Sequence, residues 1–183
     1  MEINMNIWHD IPEEEITATD FSAVIEISKG SSCKYELDKK TGLLRLDRIL
    51  YTATHYPQNY GFIPRTYADD GDPLDVLVLC SEPIVPLTLV QVYPIGAMRM
   101  IDGGKLDDKI LAIPFSDPTH RNIKSIDELP RHIFDEIMHF FTVYKQLEKK
   151  QTAVKELFDR NEAIGIINDA IKAYNEQIKP NIK

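Results

Sequence analysis

Short apolar or alternating segments, separated by clusters of Pro, Gly and Asp, make up most of the first two thirds of the chain. Six such segments occupy residues 22–28, 34–38, 43–50, 75–80, 88–102 and 107–115. Because side chains alternate between the two faces of a strand, this pattern predicts strands. Short strands at this spacing favour an antiparallel barrel or a sandwich.

The last third of the chain follows a helical period instead. Apolar residues recur from Ile133 to Leu147, and Pro130 suits a first-turn position. A second helix is expected after Asn161, with its apolar face running to Ile178. The segment between them, TAVKELFDR, fits a strand or a helix equally well. No domain boundary is visible, so we expect one domain over residues 1–183 with the helices packed on the strands.

The net charge of the chain excludes some classes of function. The formal net charge is -8, from 29 acidic and 21 basic residues, which argues against a protein that holds nucleic acid through its phosphates. No apolar run approaches the length of a membrane span. The two cysteines, Cys33 and Cys80, are far apart and suggest neither a zinc site nor a disulfide framework. We therefore expect a cytoplasmic protein.

The stretch DGDPLD places three carboxylates, Asp70, Asp72 and Asp75, within six positions. A solvated loop and a site for multivalent cations both fit this spacing. It is not an EF-hand, because the sixth position is Asp75 instead of Gly and the twelfth is Ser81 instead of Glu. A P-loop motif is also absent from the sequence.

A second acidic loop lies in MRMID-GGKL-DDKIL, which predicts a hairpin with a Gly-Gly turn. That hairpin is expected to bring Asp102 and Asp107 close together, where like charges destabilise a strand pair unless a cation binds. Glu26 and Glu36 lie within predicted strands and extend this all-oxygen set. Oxygen ligands suit Mg²⁺, Ca²⁺ or Mn²⁺ better than zinc.

Cationic and phenolic side chains complete the pattern. Any one of them is more often part of a solvated strand or helix surface, so the interpretation depends on the set taken together. Such groups donate hydrogen bonds to phosphoryl oxygens, and beside a carboxylate cluster they form the layout of metal-assisted phosphoryl transfer. The set comprises Lys34, Arg48, Lys109, Lys145, Tyr56, Tyr60 and Tyr144.

The DGDPLDV motif resembles the signature of the family I soluble inorganic pyrophosphatases. The resemblance runs from about Val24 through Lys145, with IEIS, KYELD, LDRIL, YPQNYGFIP, MIDGGKLDDKILAIP and HFFTVYKQLE in the expected order. It implies a mainly β fold, namely a five-stranded OB-like antiparallel β-barrel with two main C-terminal helices. It also implies hydrolysis of pyrophosphate to two orthophosphates by a metal-activated water.

The resemblance also implies a role for each matched position. Asp72 is expected to be the general base toward the attacking water. The expected metal ligands are Asp70, Asp75, Asp102 and Asp107, with Glu26 and Glu36 around further metal positions. The expected phosphate-binding residues are Lys34, Arg48, Tyr60, Tyr144 and Lys145, and the expected supporting residues are Tyr56 and Lys109. The chain departs from many members after Asp102, where Gly103 stands in place of another acidic residue.

Several Mg²⁺ ions per site are implied as cofactors, with Mn²⁺ or Zn²⁺ as substitutes and Ca²⁺ as an inhibitor. The expected substrate is pyrophosphate as its magnesium complex, with no nucleic-acid or membrane partner. The short bacterial members are often homohexamers, so a homo-oligomer is expected and a homohexamer is one option. Two alternatives remain open on the sequence: a catalytically inactive paralogue and an OB-type binding module.

Overall fold

The computed structural model describes residues 6–39 and 41–182, so the ends of the predicted 1–183 domain lie outside the described residues. Among the described residues, seven strands precede the first of two long helices, and an eighth strand lies between the two helices. The strands are β1 (Phe21–Ile27), β2 (Cys33–Leu37), β3 (Leu44–Ile49), β4 (Asn59–Phe62), β5 (Asp75–Val78), β6 (Leu89–Asp102), β7 (Lys105–Pro114) and β8 (Thr152–Phe158). The helices are α1 (Arg131–Val143) and α2 (Arg160–Gln177).

Five strands close into a ring. The pairing order runs β1–β4–β5–β7–β6, and β6 pairs again with β1, which confirms the mainly β, five-stranded OB-like barrel. The prediction of a wholly antiparallel barrel was wrong in one place, because β5 and β7 are parallel. Strand β7 forms an antiparallel hairpin with β6 on one side. On its other side it pairs with β5, and the two strands run in the same direction. Strand β8 adds to the outer edge of β6, and β2 and β3 form a separate ribbon.

Alternating side chains of the barrel strands enter two different apolar clusters. Val76 and Val78 pack in the cluster that α2 joins through Ile167. Leu77 and Leu79 pack in the cluster that α1 joins through its phenylalanines. Burial on both faces explains the nearly continuous apolar runs of these strands. No helix among the described residues is long and apolar enough to cross a membrane.

Helix α1 is shorter than its apolar pattern suggests. The pattern continues to Leu147, but α1 ends at Val143, and Leu147 lies in a 3₁₀ turn with 65% of its surface exposed. The left-handed Lys149, with φ 57°, then redirects the chain. The ambiguous segment that follows, residues 152–160, is mainly strand β8, which ends at Phe158. Its last two residues begin the next helix: the Asp159 side chain caps α2, and Arg160 is the first helical residue.

Strand β4 was not predicted, because it has only four residues and contains a glycine. That glycine has a packing reason: a Cβ on Gly61 would lie 1.8 Å from the Val24 carbonyl oxygen. Only glycine therefore allows β4 to pair so closely with β1. This pairing matters for the site, because β4 carries Tyr60.

Candidate active site

The DGDPLD stretch lies in the loop that leads from β4 into β5. Gly71 adopts φ 94°, and the Asp70 carboxylate accepts a hydrogen bond of 3.0 Å from the Asp72 amide. At the base of the loop the Leu74 amide donates to the Thr66 hydroxyl at 2.8 Å. Asp72 is therefore held at the solvent side of a fixed bend, with 58% of its side chain exposed.

Asp75, the first residue of β5, faces a buried lysine. The Lys109 ammonium lies 2.7 Å from Asp75, 2.8 Å from Asp107 and 3.1 Å from the Tyr60 hydroxyl. Burial alone would lower the pKa of Lys109, but the two carboxylates outweigh it and hold this pKa well above its ordinary value. Tyr60, expected to bind phosphate, donates a hydrogen bond from its hydroxyl to the Asp75 carboxylate.

The β6–β7 hairpin brings both of its aspartates to the same cleft. Its turn is the two-residue Gly103–Gly104, so Asp102 is paired with Lys105 and Asp107 with Met100. The two aspartates are therefore not cross-strand partners, although both line the same cleft. Asp102 forms an ion pair with Lys145, which follows the end of α1.

The opposite wall comes from β1 and the β2–β3 ribbon. Glu26 is buried and accepts a 2.7 Å hydrogen bond from the Leu37 amide. Burial, with a smaller contribution from the nearby carboxylates of Asp75 and Glu36, raises the pKa of Glu26 to about 8. Lys34 forms ion pairs with Glu36 and with Asp47. This wall therefore contains a carboxyl group that tends to stay neutral unless positive charge is added.

Arg48 lies beside Lys34 in the ribbon register but does not line the cleft. Its Nε donates to Glu148 at 2.8 Å, and it also pairs with Asp47. One guanidinium nitrogen, Nη2, is buried without a hydrogen-bond partner. Buried donors are almost always paired in native proteins, and this nitrogen is an exception among the described residues. The sequence did not point to Glu148 as the group that orients Arg48.

Two of the predicted tyrosines pack on α1. Tyr144 caps the end of α1, stacks on Phe140 at 5.2 Å between ring centroids and lines the cleft. Tyr56 packs between Tyr60 and Phe140 and does not line the cleft. Desolvation by burial raises the pKa of both phenols, so they are hydrogen-bond donors at neutral pH.

Together these elements enclose one cleft of about 600 Å³, called the acidic cleft below. Apart from Arg48 and Tyr56, every residue singled out in the sequence lines it. Eight acidic and five basic side chains contribute to the lining. Three charged or aromatic lining residues, Trp8, Lys39 and Arg45, lie outside every motif quoted from the sequence. The residues that line the cleft are Trp8, Glu26, Lys34, Tyr35, Glu36, Leu37, Asp38, Lys39, Arg45, Tyr60, Phe62, Asp70, Asp72, Pro73, Asp75, Asp102, Asp107, Lys109, Tyr144 and Lys145.

The chemistry of the cleft fits hard divalent cations. Its donors are carboxylate oxygens, which Mg²⁺ prefers, and burial together with neighbouring carboxylates raises the pKa of Asp70. Added cations would relieve that repulsion. Within residues 6–39 and 41–182, no three Asp, Glu, His or Cys side chains converge into a metal cluster, and lysines pair with Asp72, Asp75 and Asp102.

Comparison with known proteins gives a consistent picture. A family profile described as inorganic pyrophosphatase matches residues 23–175. A soluble inorganic pyrophosphatase from Solanum tuberosum is 49% identical over 93% of this chain and 81% of its own length. The crystal structure of an inorganic pyrophosphatase from Thermus thermophilus aligns with a TM-score of 0.89 at 36% identity, over 93% of this chain and 99% of its own. An inorganic pyrophosphatase from Helicobacter pylori aligns with a TM-score of 0.86 at 43% identity, over 91% and 99%.

Proposed function

The chain belongs to the family I inorganic pyrophosphatases, and from this premise we propose how its acidic cleft hydrolyses pyrophosphate to two orthophosphates. One observation supports the assignment of the reaction to this cleft: acidic side chains outnumber basic ones there, eight to five. An anionic substrate would be repelled from such a surface unless divalent cations entered with it or before it. The surplus of carboxylates therefore favours a metal-dependent reaction.

Mg²⁺ is proposed as the resident metal. Asp70, Asp75, Asp102 and Asp107 would hold it, and Glu26 and Glu36 would serve further ions that arrive with the substrate. When bound, Mg²⁺ neutralises phosphate charge and lowers the pKa of a bound water. We further propose that Mn²⁺ or Zn²⁺ can substitute, that Ca²⁺ inhibits, and that the substrate is the magnesium complex of pyrophosphate.

Asp72 is proposed to act as the general base. It is exposed at the tip of the loop, between Asp70 and Asp75 in sequence, so a water can reach its carboxylate. Asp72 takes a proton as the water oxygen forms a bond to one phosphorus atom. The bridging P–O bond then breaks, and its electron pair leaves with the second phosphate. No covalent enzyme intermediate is needed.

The cationic and phenolic groups are proposed to bind the two phosphates. Lys34, Tyr144 and Lys145 line the cleft, and Arg48 has a buried, unpartnered Nη2 beside Lys34. These donors hold the substrate in line with the water and stabilise negative charge on the leaving phosphate. Lys109 and Tyr60 bind Asp75 and fix its position.

We also propose that residues 1–183 form one domain, that the protein is cytoplasmic and that it assembles into a homo-oligomer. The acidic cleft does not favour an oligonucleotide-binding barrel, which needs a basic, aromatic face. An inactive paralogue is not favoured either, since every matched ligand type is present in the sequence.

Phosphate release tests the proposal. The protein is incubated with pyrophosphate at increasing Mg²⁺ concentration, with a chelator as the control. We expect orthophosphate release that rises with Mg²⁺ and disappears with the chelator. Orthophosphate release that did not depend on a divalent cation would contradict the proposed function. So would the absence of release at every concentration of Mg²⁺ or Mn²⁺.

A further inference from the structure

Two side chains at the mouth of the acidic cleft, Trp8 and Lys39, have no part in the scheme above. The Lys39 ammonium lies 4.8 Å from the centre of the Trp8 ring, a distance at which a cation is attracted to an aromatic face. The same ammonium forms an ion pair with Asp72. Lys39 therefore connects a buried aromatic ring with the proposed general base.

Trp8 is a fixed platform. Its indole N–H donates to the Thr66 carbonyl at 2.9 Å, and its own carbonyl accepts from the Arg65 amide at 2.9 Å. Thr66 is fully buried, and its hydroxyl also accepts from the Leu74 amide at the base of the aspartate loop. The Trp8 ring and the loop that carries Asp72 are thus both hydrogen-bonded to Thr66, which fixes their relative position.

Lys39 is held more loosely than the ring beneath it. It lies in the turn after β2, where the Asn6 side-chain amide donates to its carbonyl at 3.4 Å. The Lys39 side chain remains 42% exposed. Exposed lysine–carboxylate pairs are weak and exchange readily. The Trp8 ring gives the ammonium a second contact in the cleft, one that does not involve Asp72.

We propose that Lys39 is a further substrate-binding residue, which rests on the Trp8 ring and exchanges Asp72 for a phosphate oxygen of entering pyrophosphate. The inference rests on the proposed function, since it concerns the same cleft and the same substrate. The exchange supplies one more donor to the anion. It also frees the Asp72 carboxylate when substrate is present.

Steady-state kinetics at saturating Mg²⁺ provide the first test. Lys39→Ala is expected to raise KM about tenfold, the effect of losing one hydrogen bond to a charged group, with a smaller change in kcat. Lys39→Arg should restore most of the affinity. Lys172→Ala removes the same charge from α2 at a side chain that is 71% exposed, and it should leave KM unchanged.

Fluorescence provides a second readout without turnover, because Trp8 is the only tryptophan. Wild-type and Lys39→Ala proteins are titrated with methylenediphosphonate, a non-hydrolysable bisphosphonate, in the presence of Mg²⁺. The wild-type emission should change as Lys39 moves on the ring, and Lys39→Ala should lose this change and bind about tenfold more weakly.

Wild-type KM and wild-type bisphosphonate affinity in Lys39→Ala would overturn the inference. That result would leave the proposed function intact, provided that the wild-type protein hydrolyses pyrophosphate. Absence of hydrolysis in the wild-type protein would instead refute the proposed function. The bisphosphonate titration would still show whether Lys39 binds the ligand.

Discussion

Replacing the buried Lys109 by Met should destabilise the protein strongly. The side chain is 2% exposed, and its ammonium is the shared partner of Asp75 and Asp107, at 2.7 and 2.8 Å. Methionine keeps the aliphatic length that packs near Tyr60 and Phe141, so the change removes mainly the charge.

The magnitude follows from the two carboxylates that remain. Removing one partner of a buried ion pair costs about 3–5 kcal/mol, and both aspartates keep some solvent contact. We therefore expect about 3 kcal/mol of lost unfolding free energy at pH 8. In a domain of this length, each kcal/mol lowers Tm by about 2–4 °C.

The pH dependence has a defined sign. In the variant, Asp75 has no cation beside it, so its folded-state pKa, which burial already raises, lies above that of the unfolded chain. A carboxyl group of this kind destabilises the fold at pH values above its folded pKa and ceases to do so below its unfolded pKa. The stability difference from the wild type should therefore narrow from pH 8 to pH 5.

Urea denaturation and thermal melts at both pH values measure this effect, with Lys172→Met as the control. That exposed substitution should change stability by less than about 0.5 kcal/mol. Saturating Mg²⁺ should raise Tm more in Lys109→Met than in the wild type, because the cation replaces the lost charge. A loss below about 1 kcal/mol at pH 8, or a difference that widened toward pH 5, would refute the electrostatic reasoning.

Two further predictions concern ligands of the acidic cleft. Ca²⁺ prefers oxygen ligands at about 2.3–2.6 Å against about 2.0–2.1 Å for Mg²⁺, so it should enter the cleft, misplace the substrate and inhibit Mg²⁺-supported phosphate release; equal activity with Ca²⁺ alone would contradict this. Lys145→Ala removes the partner of Asp102 and should raise KM about tenfold, with a cooperative melt retained; unchanged kinetics would show that Lys145 pairs with Asp102 without binding the substrate.

Local patterns in the sequence favoured a barrel or a sandwich, and the resemblance to the family I pyrophosphatases implied the five-stranded barrel and most residues of the acidic cleft. Alternation identified the long strands, and the hairpin followed from its two glycines. Strand β4 was missed because four residues around Gly61 carry almost no periodic signal, and its place depends on close contact with β1. The end of α1 was missed because the apolar period continues past the point where the chain turns toward β8.

The contacts within the cleft could not be predicted, because they join distant segments. Trp8, Lys39 and Asp72 are brought together by the fold, and no spacing in the chain relates them. The same is true of Glu148, which lies 100 residues from the Arg48 that it orients. Residue type suggested the chemistry, whereas each ion-pair partner depends on tertiary packing.

The division of labour among the loop aspartates is the central claim, and Mg²⁺ binding measured beside phosphate release tests it most directly. The variants are Asp72→Asn and Asp75→Asn, with Asp69→Asn as a control in the same loop outside the lining of the cleft. Calorimetric Mg²⁺ titrations and turnover are measured for all three.

Asp72→Asn should keep most of its Mg²⁺ affinity and lose about 10²–10⁴-fold in turnover, the usual contribution of a positioned general base. Asp75→Asn should lose Mg²⁺ affinity first, because its carboxylate lies at the buried end of the loop beside Lys109 and Tyr60. If Asp72→Asn lost Mg²⁺ affinity as severely as Asp75→Asn, the assignment of Asp72 as the base would be wrong, and all three carboxylates would be metal ligands.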